Sequence, residues 1–380
     1  MKKLKIFIIL FVLSFAFIGF SKAPTTVLAN SNSSKACYLM DYNSGTVIYK
    51  NNEDERLKIA SMTKIMLLLL CYENIEAGNL SLNETITVSK NASSMGGSQV
   101  FLEENGEYKV CDLLKSIIVS SANDASVAMA ERLYGSEEEC VKKMNEKVES
   151  LNLKNTLFSN CTGLPKPMQY SSAKDIALIF KELIKYPAYF EYSNVWLDKI
   201  DHKNNSTELA NTNKLVRFYE GCDGGKTGYT SEAGFCLTAT AKRGNMRLIS
   251  VVIGSKTSKD RFSEVSKMFN DGFNNYTNKA VVDVNSYKNE YVTVNLGLED
   301  KVEIVPKNNF YVFCKKGEND NIYLEQTLNK VSAPIKKGET VGKITVYKNG
   351  VEVGAVDLVS TKDIEKLNFF GYVNEILKAW

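Results

Sequence analysis

The sequence predicts an α/β (α+β) domain whose helices pack on an antiparallel sheet, followed by a small all-β domain and a C-terminal amphipathic helix. Three observations carry this reading. Strand-like segments open and close the first 275 residues, and helical periodicities fill the middle, so one sheet is built from both ends of the segment. After Tyr276 only short alternating stretches remain. The last residues place their apolar side chains on one arc of a helix.

Residues 1–29 read as a secretory signal. Lys2, Lys3 and Lys5 precede an apolar run from Ile6 to Phe20, and Val27-Leu28-Ala29 offers a cleavage site after Ala29. A short transmembrane anchor is the alternative, and either reading exports the rest of the chain. This segment holds four of the 47 basic residues and none of the 44 acidic ones, so the remainder is close to neutral. Bulk charge therefore does not point to a nucleic-acid partner. His202 is the single histidine, which excludes HExxH zinc sites and histidine-rich metal cages and argues strongly against a Ser-His-Asp triad, which would have to use that one residue. The eight cysteines are scattered, with no CxxC, and several sit in apolar runs; they read as free buried thiols.

Along residues 30–275, Cys37 to Met40 and Thr46 to Tyr49 form a hairpin about the turn Asp41 to Gly45. Ile65 to Leu70 is apolar on every side, so its helix is buried within a domain. Val110, Leu113, Leu114, Ile117 and Ile118 repeat with helical period, as do Cys140, Val141, Met144 and Val148, and Ile176 to Ile184 continue it. Strands return at Gly234 to Ala241 and Arg247 to Ile253. Residues 276–358 form the small β-sandwich domain, with strands at 281–284, 291–294, 310–314, 343–347 and 351–356 and a type I′ turn at Asn349-Gly350. No acid, nucleophile or metal cluster stands out there, so a spacer or docking role is expected. Residues 359–380 read as a membrane-association helix. Phe369, Phe370, Val373, Ile376, Leu377 and Trp380 share one face, which suits a membrane interface or docking on the preceding domain.

Three short segments carry candidate chemistry. In Ala60-Ser61-Met62-Thr63-Lys64 the serine and lysine, at i and i+3, meet on one helix face. A lysine serves as base to a serine only when neutral, which needs burial or nearby positive charge. Ser121 and Asn123, after an apolar helix, can present a hydroxyl and an amide to one cleft. Gly225-Lys226-Thr227-Gly228-Tyr229 allows close backbone approach beside a fixed charge. Taken singly each segment also reads as a helix cap or an ordinary loop. The last is not a phosphate-binding P-loop, because Glu220 stands where such a loop needs glycine and a strand follows.

Together, in this order, S-x-x-K, S-x-N and K-T-G resemble the penicillin-binding proteins and serine β-lactamases. Asp41 to Gly45, Ala60 to Met66, Ser121 to Ala125 and Gly225 to Thr230 resemble the low-molecular-mass penicillin-binding proteins that are D-alanyl-D-alanine carboxypeptidases. So do Asn155-Thr156, Gly163-Leu164, Asn211-Thr212-Asn213 and Ala233-Gly234-Phe235, over roughly residues 35 to 275. Gln169 departs from an expected histidine and Gly225 from a larger apolar residue. The resemblance implies a penicillin-binding transpeptidase-like domain outside the cytoplasmic membrane, acting on peptidoglycan stem peptides that end in D-Ala-D-Ala and acylated by β-lactams. It implies Ser61 as nucleophile, Lys64 as base and Ser121 as proton relay. Asn123, Lys226, Thr227, Gly228 and Tyr229 then bind substrate, Arg261 adds a second carboxylate contact, and no metal or cofactor takes part. A β-lactamase would need a glutamate to position water, and residues 162–173 contain none. A DD-transpeptidase differs only in the acyl acceptor, and a non-catalytic wall-binding module would need a damaged motif.

Overall fold

The computed structural model describes residues 33–288, 290–369, 371 and 373. The export segment and most of the C-terminal apolar stripe lie outside the described residues. Strand β1 (Ala36–Asp41) pairs antiparallel with β2 (Val47–Asn51) on one side and with the strand Met246–Ser255 on the other. That strand pairs with Gly234–Arg243, which in turn pairs with Cys222–Thr230, giving five antiparallel strands built from both ends of the domain.

Helix α1 (Lys64–Glu76) has every residue from Lys64 to Tyr72 buried, as expected of a helix without a polar face. It runs through the helical layer, against the helix Ala173–Leu183. The other expected helices form at Val110–Val119 and Glu137–Ser150, burying their periodic apolar residues except Val141, which is half-buried against the core. Ser136 caps the latter, its hydroxyl accepting from the Glu139 amide at 3.2 Å, and three glutamates stand in its first turn, where the helix dipole favours them.

Two elements beside the site depart from the reading of the sequence. The glycine-rich K-T-G segment is itself the sheet's edge strand; its glycines mask strand propensity, and pairing with Gly234–Arg243 overrides it. Ser258–Asn275 is an 18-residue helix, begun by a capping box in which Thr257 and Asp260 satisfy each other's backbone amides.

Tyr276 opens the second domain as a strand. Its six-stranded sheet and a two-stranded ribbon, Tyr276–Val282 with Phe310–Lys315, enclose Val302, Ile304, Val346 and Leu358. Asn349 and Gly350 both have positive φ, +53° and +80°, as a type I′ turn requires. The final strand Val351–Ser360 runs past the expected start of the terminal helix at residue 359. Ile364 and Lys366 then bridge to Ile335 and Gly297, so residues 359–366 close the β domain rather than open a helix. The two domains are joined by a buried hydrogen bond from Asn278 Nδ2 to Asp41 Oδ1 at 2.8 Å.

Candidate active site

Ser61 lies on a 3-10 turn, Ala60–Thr63, that leads directly into α1 at Lys64. In a 3-10 turn residues i and i+3 eclipse, so the two side chains meet more directly than on an α-helix. Lys64 Nζ is 3.0 Å from Ser61 Oγ, 2.7 Å from Asn123 Oδ1 and 2.6 Å from the Thr162 carbonyl. The side chain is wholly buried, and that desolvation lowers its pKa to about 7, with Cys161 and Asp124 opposing. A neutral amine has two hydrogens and one lone pair. Thr162 O and Asn123 Oδ1 only accept, so they take both hydrogens and leave the lone pair to the Ser61 hydroxyl.

Ser121 and Asn123 sit between two buried helices. Ser121 adopts φ +64°, which turns the chain sharply so that Asn123 starts the next helix. The Asn123 amide is fixed from both sides: its backbone N–H donates to Ser98 O and its Nδ2 to Gly96 O, each at 2.7 Å. Asp124 anchors the same loop, accepting from the Val100 and Leu102 amides at 3.0 and 3.1 Å. Oδ1 of Asn123 therefore faces Lys64 with no freedom to flip.

The edge strand brings the third motif alongside. A Cβ on Gly228 would lie 2.6 Å from the Ile59 carbonyl, so the strand touches the turn that carries Ser61, and only glycine permits it. Lys226 is buried, with Nζ donating to Thr227 O at 3.1 Å; burial, Lys64 and Arg261 hold its pKa well below the usual lysine value. Thr227 Oγ1 donates to Thr212 Oγ1 at 2.8 Å. Tyr229 is 57% exposed, its ring stacked on Phe235 at 4.3 Å. Arg261 reaches in behind this strand from the 258–275 helix. Its Nη1 donates to the carbonyls of Gly228 and Cys236 at 3.2 and 3.3 Å, and its buried Nε has no partner. Burial lowers its pKa to about 10.

The loop 159–164, which supplies the Thr162 carbonyl, is the part of the site that motif reading missed. Gln169 Oε1 accepts from the amides of Ser159 and Asn160, both at 3.0 Å, so an acceptor side chain is what this position needs. Asn160 closes the turn, Oδ1 accepting from Gly163 N and Nδ2 donating to Leu164 O, both at 2.8 Å. Gly163 has φ +85°, and a Cβ there would fall 2.0 Å from the Ala60 carbonyl. A carbonyl ligand leaves no residue-type signal, and Gly163 was visible only within the family resemblance. The departure at Gly225 is also resolved: with φ +142°, a Cβ would meet the Thr238 carbonyl at 2.2 Å.

A buried serine–lysine pair completed by S-x-N and an edge-strand K-T-G defines the class, the active-site serine peptidases of the penicillin-binding fold. A family model described as D-alanyl-D-alanine carboxypeptidase matches residues 23–257, and one described as the C-terminal domain of penicillin-binding protein 5 matches residues 276–366. The chain is 40% identical over 375 residues to D-alanyl-D-alanine carboxypeptidase DacF of Bacillus subtilis (strain 168), covering 97% of this chain and 96% of that one. Its structure is similar to penicillin binding protein 5 from Haemophilus influenzae, at 31% identity and a TM-score of 0.70, covering 90% of this chain and 100% of that one. It is also similar to the ampicillin-bound form of penicillin-binding protein D2 from Listeria monocytogenes, at 29% identity and a TM-score of 0.57, over 63% of this chain and 98% of that one. The chain belongs to the D-alanyl-D-alanine carboxypeptidase family.

Proposed function

We propose that this enzyme removes the terminal D-alanine of peptidoglycan stem pentapeptides through an acyl-enzyme on Ser61. The observation that carries the reading is the buried Lys64 amine, its hydrogens taken by two fixed acceptors and its lone pair turned to Ser61. Ser61 Oγ attacks the carbonyl between the two D-alanines while its proton passes to Lys64 Nζ. The C–N bond then breaks, and the proton returns through Ser121 to the leaving amine. Water attacks the ester, restoring the Ser61 hydroxyl and freeing the shortened peptide. Backbone N–H groups of Ser61 and Tyr229 hold the oxyanion, each worth about 3 kcal/mol of the barrier.

Lys226 and Arg261 form a basic group beside the neutral Lys64 amine, and burial disfavours the charged form of each. The C-terminal carboxylate of the substrate is the counter-ion this group calls for. Lys226 and the Thr227 hydroxyl receive it, Arg261 supports it from behind through Gly228 and its spare Nε, and Asn123 holds the substrate amide. β-Lactams place a strained amide and a carboxylate in the same relation and acylate Ser61. Export to the outer face of the cytoplasmic membrane, with the terminal helix lying in the lipid interface, completes the proposal.

Incubation with a synthetic peptide ending in D-Ala-D-Ala, followed by mass analysis, tests it. The expected product lacks one alanine; transfer to an added amine would instead indicate a transpeptidase, and an unchanged peptide would refute catalysis. Ser61→Ala is expected to lose both D-alanine release and labelling by a fluorescent penicillin.

A further inference from the structure

Away from the catalytic residues, the two domains enclose a cleft of about 760 Å3, within the range of small-ligand sites. One wall is the turn after β1 with Tyr42, and the 173–183 helix and its end with Lys181 and Lys185. The other wall comes from the β domain and includes Phe310, Tyr311 and Lys348. The K-T-G strand occupies one edge of the five-stranded sheet, whereas the turn after β1 leads into β2 at the opposite edge. The cleft is therefore a separate place from the catalytic pocket.

Its chemistry is one-sided. Three amino groups line it, and no carboxylate does. Lys348 is held in place by Asp320 at 3.0 Å and the Phe313 carbonyl at 2.8 Å, and Lys185 by Glu182 at 2.6 Å. Lys181 makes no ion pair among the described residues, its Nζ standing 6.0 Å from the centre of the Tyr42 ring. Asn43, Ser44 and Asn309 add amides and a hydroxyl at the same surface. The walls are fixed relative to one another. Asn278 binds Asp41 at 2.8 Å with both side chains buried, and Lys316 Nζ donates to Phe273 O at 2.7 Å. Asn278 Oδ1, at this joint, has no partner.

The geometry points to a second binding site that takes an anionic saccharide, its ring against the aromatic faces and its acidic group on Lys181, Lys185 and Lys348. Sugar C–H faces suit aromatic rings, hydroxyls suit the amides, and a carboxylate or phosphate supplies the counter-charge that Lys181 lacks while adding to the partners of Lys185 and Lys348. The source of such a ligand rests on the reading of this protein as a wall enzyme. It is either a carboxylate-bearing glycan–peptide or a sugar–phosphate polymer.

Calorimetric titration of the whole enzyme, with Ser61 first acylated by penicillin, tests this. The probes are a disaccharide tetrapeptide from peptidoglycan, a glycosylated poly(glycerol phosphate) and neutral chitotetraose. Saturable binding of either charged probe, at least tenfold tighter than chitotetraose, is expected, and which probe binds identifies the source. Lys181→Glu with Lys185→Glu should weaken it at least tenfold, and Lys181→Gln less, while D-alanine release from a soluble peptide stays unchanged. Absent binding, equal affinity for the neutral probe, or indifference to charge reversal in an enzyme that still releases D-alanine would overturn the cleft site alone. Failure of the unaltered enzyme to release D-alanine would instead overturn the catalytic reading.

Discussion

Lys64 turns a burial penalty into reactivity. With its pKa near 7, the amine is neutral above that value, as the proposed role of base requires, and protonated below it. Single-turnover acylation by penicillin should therefore rise with pH through about 7 and level off; a flat profile from pH 5 to 9 would remove Lys64 as base. Lys64→Ala should lose acylation and keep reversible substrate binding. The same depression has a stability sign. Between about 7 and the ordinary lysine value the unfolded chain binds the extra proton, so this residue's cost to folding shrinks as pH rises through that window. Gly163→Ala should hurt in two ways, through its φ of +85° and the clash with Ala60 O. We expect about 1–3 kcal/mol less stability in urea unfolding and greatly slowed acylation, because Thr162 shifts with it. Ser61, Lys64, Asn123 and Lys226 were legible in the sequence because their roles need particular side chains at fixed spacing. Thr162 was not, since any residue offers a carbonyl, and Gln169 acts only through the loop it pins.

Among the elements, α1 carries the largest burden, because it must bury nine consecutive residues and present Lys64 at its first turn. Leu67→Ala, at a site with no exposure, should cost about 2–5 kcal/mol by denaturant titration. Loss of the capping box by Thr257→Ala should cost about 1 kcal/mol and loosen the helix that carries Arg261. Helical period exposed the helices at 110–119 and 137–150 because each has one buried face. The edge strand at 222–230 was hidden because its glycines favour no element, and its pairing partner decides its form. The pairs at 85–87 with 107–109 and 197–201 with 206–210 are short, and their register comes from tertiary contacts rather than local pattern.

For the molecule as a whole, all eight cysteines are free, seven of them buried, so a thiol titration under denaturing conditions should find eight reactive groups. Deletion of residues 369–380 should shift the processed protein from the membrane to the soluble fraction with D-alanine release preserved, because the proposed site residues lie between 61 and 261. The change from an α+β to an all-β texture after Tyr276 was readable in the sequence, whereas the cleft between the domains was not, since Lys181 and Lys348 acquire a shared purpose only once the Asn278–Asp41 joint forms. Because β1 is zipped between β2 and the strand ending at Ser255, with Leu39 opposite Ser250, the earliest-made strand has no lasting neighbour on one flank until almost the entire domain has been synthesised. Nascent fragments stopped short of that point should stay protease-sensitive, a delay that would suit the export proposed above, since a strand still lacking its partner is easier to thread through a translocation pore.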